Sequence, residues 1–363
     1  MKKTLFFVLL IGVFFAGCQQ HSQTTQKQEK PAKNIILLIG DGMGTSQVFA
    51  GITANKGKLN IERFNDIGFS RTQSASDYIT DSGAGGTAIA VGVKTYNGAI
   101  GVNTDTVPVK SILEYAEDAD KATGLVATST ITHATPASFS AHQKSRHMYE
   151  EIAGDIVNND IEVFIGGGLK HFKERKDSVD LTNTLLEKGY TMVYKQELIP
   201  TVTEGKLAGL LYEEAPPKFS EGRGDMLPLS SAKAIELLNQ DANGFFLMIE
   251  GSQIDWGGHA NDAQYIVDEM LDFDKAVGIA LDFAEKDGNT LVIVTADHET
   301  GGMGLNGGDF TTGMVEGGFT TDNHTGVMVP VFAYGPQSDL FRGIYENTAL
   351  FDKMMQAFGF EKK

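Results

Sequence analysis

Short, near-continuous apolar runs alternate with amphipathic stretches from Asn34 onward, and this alternation restricts the fold more than any other feature of the chain. The runs Asn34–Ile39, Gly124–Thr128, Ile161–Ile165, Phe245–Ile249, Leu291–Thr295 and Val327–Ala333 have the length and composition of strands. Between them, Lys110–Ala119, Met148–Asn158, Ser231–Asn239, Ala263–Glu285 and Asn347–Phe358 carry apolar residues at helical spacing. A strand that is apolar on both faces needs cover on both faces. The pattern therefore predicts an α/β fold, a three-layer αβα sandwich around a mainly parallel sheet. Gly301–Gly318 is Gly-rich and irregular and reads as an excursion at the sheet edge. No internal repeat or later linker divides the chain. Its 363 residues, 41% of them hydrophobic, suffice for one large core, so residues 34–363 are expected to form one domain.

The first residues do not belong to that domain. Met1-Lys2-Lys3 is basic, and Leu5–Phe15 is apolar but too short to cross a bilayer as a mature helix, so residues 1–17 read as a signal peptide. Phe15-Ala16-Gly17-Cys18 resembles a bacterial lipoprotein cleavage site, which would make Cys18 a lipidated N-terminus. The expectation is an exported protein at the periplasmic or cell-surface face, held to the membrane by its lipid anchor only. Cys18 is the single cysteine, so no intrachain disulfide can form. Residues 18–33 are polar and are expected to be a disordered tether. Loss of Met1–Gly17, with its two lysines, takes the formal net charge from −17 to −19. This balance argues against a nucleic-acid partner. An acidic chain that handles phosphate needs a local positive centre, and metal ions supply one.

Polar residues recur just past the apolar runs. Asp41 follows the first, Thr135 the second, Glu250 and Asp255 that at Phe245–Ile249, and Asp297 with His298 that at Leu291–Thr295. Ligands of open parallel sheets sit beyond the carboxyl ends of the strands, so four strands deliver metal-binding groups to one edge. Asp255 and His259 are four apart and can share one face of a helical turn. His324 stands before the run at Val327–Ala333. Mixed Asp/His sets suit zinc; all-oxygen sets such as Asp41, Thr135 and Glu250 suit magnesium. The stretch Asp77–Gly92 is nearly all Gly, Ala and Thr after Asp81-Ser82. Glycine is a poor helix former, but small side chains let a backbone come close to something. A Ser at a helix start presents its hydroxyl beside N–H groups that attract anions. Alone, the stretch reads as a Gly-rich loop with an N-capping Ser; the carboxylates and histidines elsewhere make Ser82 a candidate nucleophile for phosphate. Gly40-Asp41-Gly42-Met43-Gly44 lacks the G-x-G-x-x-G spacing and no ribose-binding acid follows it, which speaks against a dinucleotide.

The segments NIILLIGDGMG, DYITDSGAGGTA, ITHATPASFSAHQKSR, FFLMIEGSQIDWGGHAND, VIVTADHETGG and NHTG run from Asn34 to Gly326, and together they resemble the bacterial alkaline phosphatases, in that family's order. The resemblance implies hydrolysis of phosphate monoesters through a phosphoserine at Ser82, with two zinc ions and one magnesium ion. Asp255, His259 and His324 would hold one zinc, and Asp41, Asp297 and His298 the other. Asp41, Thr135 and Glu250 would hold magnesium. Arg146 would grip the phosphate and Asp81 would place Arg146. Where enterobacterial members have Asp and Lys, this chain has His133 and Trp256, a pair that other members share. Both are expected to border the metals, either packing there or, for His133, ligating a third ion that zinc or cobalt can replace. The resemblance also implies that a homodimer is open to the chain. Two further readings stand beside it: a phosphodiesterase or sulfatase on a related scaffold, and a non-catalytic metal- or phosphate-binding lipoprotein. Glu250 and Arg146 favour monoesters, and a serine at the focus favours catalysis.

Overall fold

Strand β1 (Asn34–Gly40) is buried along its whole length and lies near the middle of a ten-stranded sheet in the computed structural model, which describes residues 30–361. The chain continues through β2 (Asp66–Arg71), β3 (Ala122–Thr130), β4 (Val163–Gly167), β5 (Tyr190–Val193), β6 (Lys206–Tyr212), β7 (Phe245–Gly251) and β8 (Thr290–Thr295). The pairs β9 (Glu299–Thr300) with β12 (His324–Thr325) and β10 (Gly304–Asp309) with β11 (Met314–Gly318) form two small sheets of their own. β13 (Val329–Tyr334) and β14 (Gly343–Glu346) return to the large one. Its order is β14-β2-β13-β8-β1-β7-β3-β4-β6-β5, and only β13 runs against its neighbours.

The pleat divides the core in two. Ile35, Leu37 and Ile39 of β1 face one apolar cluster, with residues from the helices Ser82–Val91, Ile112–Asp118, Ala134–Ser140, Tyr149–Asn158 and Thr348–Phe358. Ile36 and Leu38 face the other, with the helices Thr45–Ala54, Met226–Leu238 and Ala263–Asp287. Three layers result, as the continuous apolar strands require.

The structure corrects several expectations. The helix expected at Ser231 begins at Met226, because Pro228 lies in the first turn, where a missing N–H costs nothing. The stretch expected to be irregular, Gly301–Gly318, contains the antiparallel hairpin β10–β11. The tether expected over residues 18–33 ends earlier: Ala32 is buried, and its N–H donates to the Ala357 carbonyl at 2.8 Å. Lys33 likewise donates to Asn289, at 2.9 Å. The expected signal peptide and Cys18 lie outside the described residues.

One polar device sits within the second core. Arg223 has its side chain fully buried and donates to Glu269 and, at 2.9 Å, to Asp272, both on the long helix Ala263–Asp287. Its other terminal nitrogen donates to the Pro217 carbonyl at 3.2 Å, and Phe219 N–H reaches Glu269 at 2.8 Å. The segment 217–223 is thereby clamped to the helix. Removing one member of a buried ion cluster strands the others in low dielectric. Arg223→Ala is therefore expected to lower stability by about 3–5 kcal/mol in urea unfolding, far more than a surface Arg substitution.

Candidate active site

The helix Ser82–Val91 has every residue buried, so no amphipathic pattern marks it. What starts it is Asp81, whose carboxylate accepts from Ala84 N–H at 2.9 Å. Gly92, at φ 74°, ends it. The cap is thus Asp81 and not Ser82, as the sequence suggested. Ser82 becomes the first helical residue, and its Oγ lies 3.2 Å from His298 Nε2. The glycines of the helix mark close approaches. A Cβ on Gly85 would lie 3.0 Å from the Asp297 carbonyl oxygen and 3.1 Å from the Asp297 Cβ. Gly42, at φ 72°, brings the turn after β1 so near that a Cβ would meet the Asp255 Cα at 2.8 Å.

Around Ser82 three donor sets form. Asp255, His259 and His324 are one, Asp41, Asp297 and His298 the second, and Asp41, His133 and Glu250 the third; in each, the ligating atoms lie within 4.8 Å of one another. Separate elements supply them. Asp41 follows β1 and Asp297 with His298 follow β8. Glu250 is in β7, and the helix Gln253–His259 carries Asp255 and His259 one turn apart, Nε2 to Oδ2 at 3.3 Å. Pairing of β12 with β9 sets His324 opposite Thr300, which stacks its ring 3.5 Å from that of His298. His259 and His324 direct Nδ1 at the carbonyls of Asp322 (2.7 Å) and Thr80 (2.8 Å). As donors there, both turn Nε2 into the site toward Asp255, and those two atoms are 3.2 Å apart. Each Nε2 can exchange its proton for a cation placed between the two rings.

The carboxylates pose the same demand. Both oxygens of Asp41, Oε1 of Glu250, Oδ2 of Asp297 and the Thr135 hydroxyl are buried and have no hydrogen-bond partner among the described residues. Burial, reinforced by Asp297, Asp255 and Glu250, pushes the Asp41 carboxyl well above its usual range. Burial likewise raises Asp297 to about 6 and Glu250 to about 7, although the hydroxyls of Ser252, Thr135 and Ser129 face the latter. Asp255 goes the other way. Burial opposes its ionisation, but His259 and His324 hold it well below the usual range, and the same hydrogen bond lifts His259 to about 9. Oxygen-rich and imidazole donors left unsatisfied at this density fit divalent cations.

Arg146 reaches the mouth of the site. Its Nη1 donates to Asp81 Oδ2 at 2.9 Å, while Asp81 Oδ1 accepts from Gly98 N–H at 2.9 Å. Arg146 Nη2 lies 3.3 Å from His133 Nε2. Burial and the adjacent guanidinium bring His133 down to about 3, so it is neutral there. Trp256 stands edge-to-face to His133, with ring centroids 6.3 Å apart. These side chains, with Ser82, Asp255, His259 and His324, line an open cleft of about 480 Å³.

Every site residue expected from the sequence, apart from Cys18, lies in this neighbourhood; Thr135 heads the helix Ala134–Ser140 beside Glu250. Two residues were missed. Thr300 Oγ1 donates to Asp255 and lies 3.2 Å from His298 Nδ1, steadying a ligand from each of two sets. It stands two residues after His298, the spacing that shares a face in extended chain, and that signal was available. Asn97 accepts from Asp81 N–H at 3.3 Å, and nothing local in the sequence announces it.

Comparison with known proteins identifies the relatives of the chain. The alkaline phosphatase family model matches residues 32–316 and 310–360. Alkaline phosphatase 4 of Bacillus subtilis (strain 168) is 35% identical over 440 residues, covering 96% of this chain and 95% of that protein. The alkaline phosphatase of Escherichia coli (strain K12) is 33% identical over 421 residues, 94% of this chain and 89% of its own. Among solved structures, alkaline phosphatase from the Antarctic bacterium TAB5 superimposes with a TM-score of 0.87 at 45% identity, covering 92% of this chain and 100% of that one.

Two glycines make the packing argument testable. Gly154 lies in the helix Tyr149–Asn158 with nothing within 4 Å of an added Cβ, so Gly154→Ala should stabilise by roughly 0.5–1 kcal/mol. Gly85→Ala offers the same gain in helix propensity but drives a methyl into Asp297. It should instead lower both the melting temperature and the affinity for divalent metal, read by thermal unfolding and metal titration.

Proposed function

The chain belongs to the alkaline phosphatase family, a metal-dependent group, and is a phosphatase of small-molecule phosphate esters; from that premise we propose that it transfers the phosphoryl group by way of Ser82. The observation that carries this reading is the placement of Ser82 Oγ, at a helix start, 3.2 Å from His298 and ringed by three donor sets.

Asp255, His259 and His324 would hold one zinc, Asp41, Asp297 and His298 the second, and Asp41, Thr135 and Glu250 a magnesium with His133 close by. When bound, such ions lower the pKa of a coordinated hydroxyl or water and stabilise charge on the departing oxygen. The chain's own groups do the rest. Ser82 Oγ attacks phosphorus, the ester oxygen leaves, and water then cleaves the phosphoserine to regenerate the hydroxyl. Arg146 offers a planar fork to two non-bridging oxygens, and Asp81 holds that fork in position. A diester has one fewer charged oxygen for the fork, which favours monoesters. We further propose export and anchoring through a lipidated Cys18, on the strength of the Phe15–Cys18 segment alone.

Ser82→Ala should lower kcat/KM by several orders of magnitude on an aryl phosphate while metal content stays the same, with residual turnover from the remaining site. Two displacements also require net retention at phosphorus; wild-type rates in the variant, or inversion, would remove Ser82 from the reaction.

The third site generates its own expectation. A His-to-Asp variant of the TAB5 enzyme is described with Mg bound in a site called M3. An Asp in place of His133 would add a hard, charged oxygen ligand, and a Lys at position 256 a cation near product phosphate. The double variant His133→Asp/Trp256→Lys should bind magnesium more tightly and be inhibited more strongly by inorganic phosphate than the parent. Unchanged magnesium and phosphate affinities would mean that the pair only packs.

A further inference from the structure

Beyond the His133–Trp256 pair lies a second cleft, of about 560 Å³, which shares these two residues with the catalytic one. Tyr149, His171, Pro216, Pro217 and Tyr265 form much of its wall. Tyr149 and His171 stack with centroids 4.8 Å apart and planes 5° from parallel. The lysines that line it are matched by acids that line it: Lys170 pairs with Glu214, and Lys218 with Glu221 at 3.1 Å.

The cleft is built and braced. Buried Gln253 donates from Nε2 to the carbonyls of Thr128 and Pro216, each at 2.9 Å, and its Oε1 accepts from Tyr265 at 2.7 Å. Gln253 opens the helix that carries Asp255 and His259, so the outer wall is tied directly to the catalytic floor. The Arg223 clamp also holds Pro217 of that wall. A pre-formed aromatic cleft with internally paired charges suits a planar, uncharged ring.

We propose that this cleft binds the leaving group of a nucleoside monophosphate, the sugar passing over the edge-to-face His133–Trp256 pair and the base lying against the aromatic wall. The ring of a simple aryl phosphate is bonded to the phosphate oxygen and stays on the catalytic side. A base is set off from phosphate by its sugar and so reaches past His133 and Trp256, the edge-to-face pair that lines both clefts. The proposal rests on the phosphomonoesterase reading of Ser82, but its binding half can be measured without turnover.

Trp256 is the only tryptophan of the chain, so its emission reports on this cleft. Adenosine, which carries no phosphate, is titrated into the full-length protein and into the variants Ala215→Arg, which fills the cleft, and Tyr149→Ala, which strips its wall. Adenosine should change the emission saturably in the parent and bind about tenfold more weakly in both variants, the order expected of a lost aromatic contact. KM for adenosine 5′-monophosphate should rise about tenfold in each, while kcat/KM for glycerol 2-phosphate and inhibition by inorganic phosphate stay within about twofold. The proposal falls if adenosine leaves the parent's emission unchanged, or if glycerol 2-phosphate loses as much as the nucleotide. Full activity in Ser82→Ala would overturn the reaction reading alone, since adenosine binding is read independently of it.

Discussion

Four carboxylates, those of Asp41, Glu250, Asp255 and Asp297, are brought out of water together at one edge of the sheet, none more than 4% exposed. Burial and mutual repulsion both oppose their ionisation, and only Asp255 finds protein partners that reverse this. The rest of the architecture can be understood as holding these groups where they would not stay by themselves. The strands behind them, β1, β7 and β8, are buried along their whole length and supply rigidity without polar competition. The helix carrying Ser82 approaches through glycines that weaken it as a helix, because only a bare backbone fits against Asp297. Local stability is given up at the site and recovered in the two apolar layers beneath it.

The strands with the plainest apolar runs, β1, β3, β7 and β8, were legible from the sequence because they are buried on both faces. They are also the strands that deliver site residues, which is why so much of the site could be read. The outer strands were not legible. β2 alternates buried with exposed positions around Gly68, β5 has four residues, and β6 is interrupted by Gly209. The helix Ser82–Val91 escaped because periodicity marks a helix with one wet face, and this one has none. The Arg223 clamp escaped for another reason: its acids lie more than forty positions away, and no spacing rule connects them.

His133 carries a constraint that composition could not reveal. A neutral imidazole has one lone pair and one N–H. If Nε2 accepts from Arg146, as the 3.3 Å separation allows, the proton sits on Nδ1, a buried atom with no partner among the described residues. If Nδ1 instead ligates an ion, the Nε2 proton faces the guanidinium. The arginine of the mouth and the third donor set therefore compete for one ring. An aspartate at this position would have no such conflict, having lone pairs for both.

The position of β1 in the sheet also governs the order in which the molecule can be made. Ile35 has Phe246 for one neighbour and Leu291 for the other, so the first strand synthesised waits for most of the chain before either edge is satisfied. β13, which enters antiparallel between β8 and β2, comes later still. Contacts of such long range make for slow folding and leave apolar strands unpaired in the meantime. Until Phe245–Gly251 and Thr290–Thr295 have been made, the strand at the middle of the sheet has no neighbour on either side.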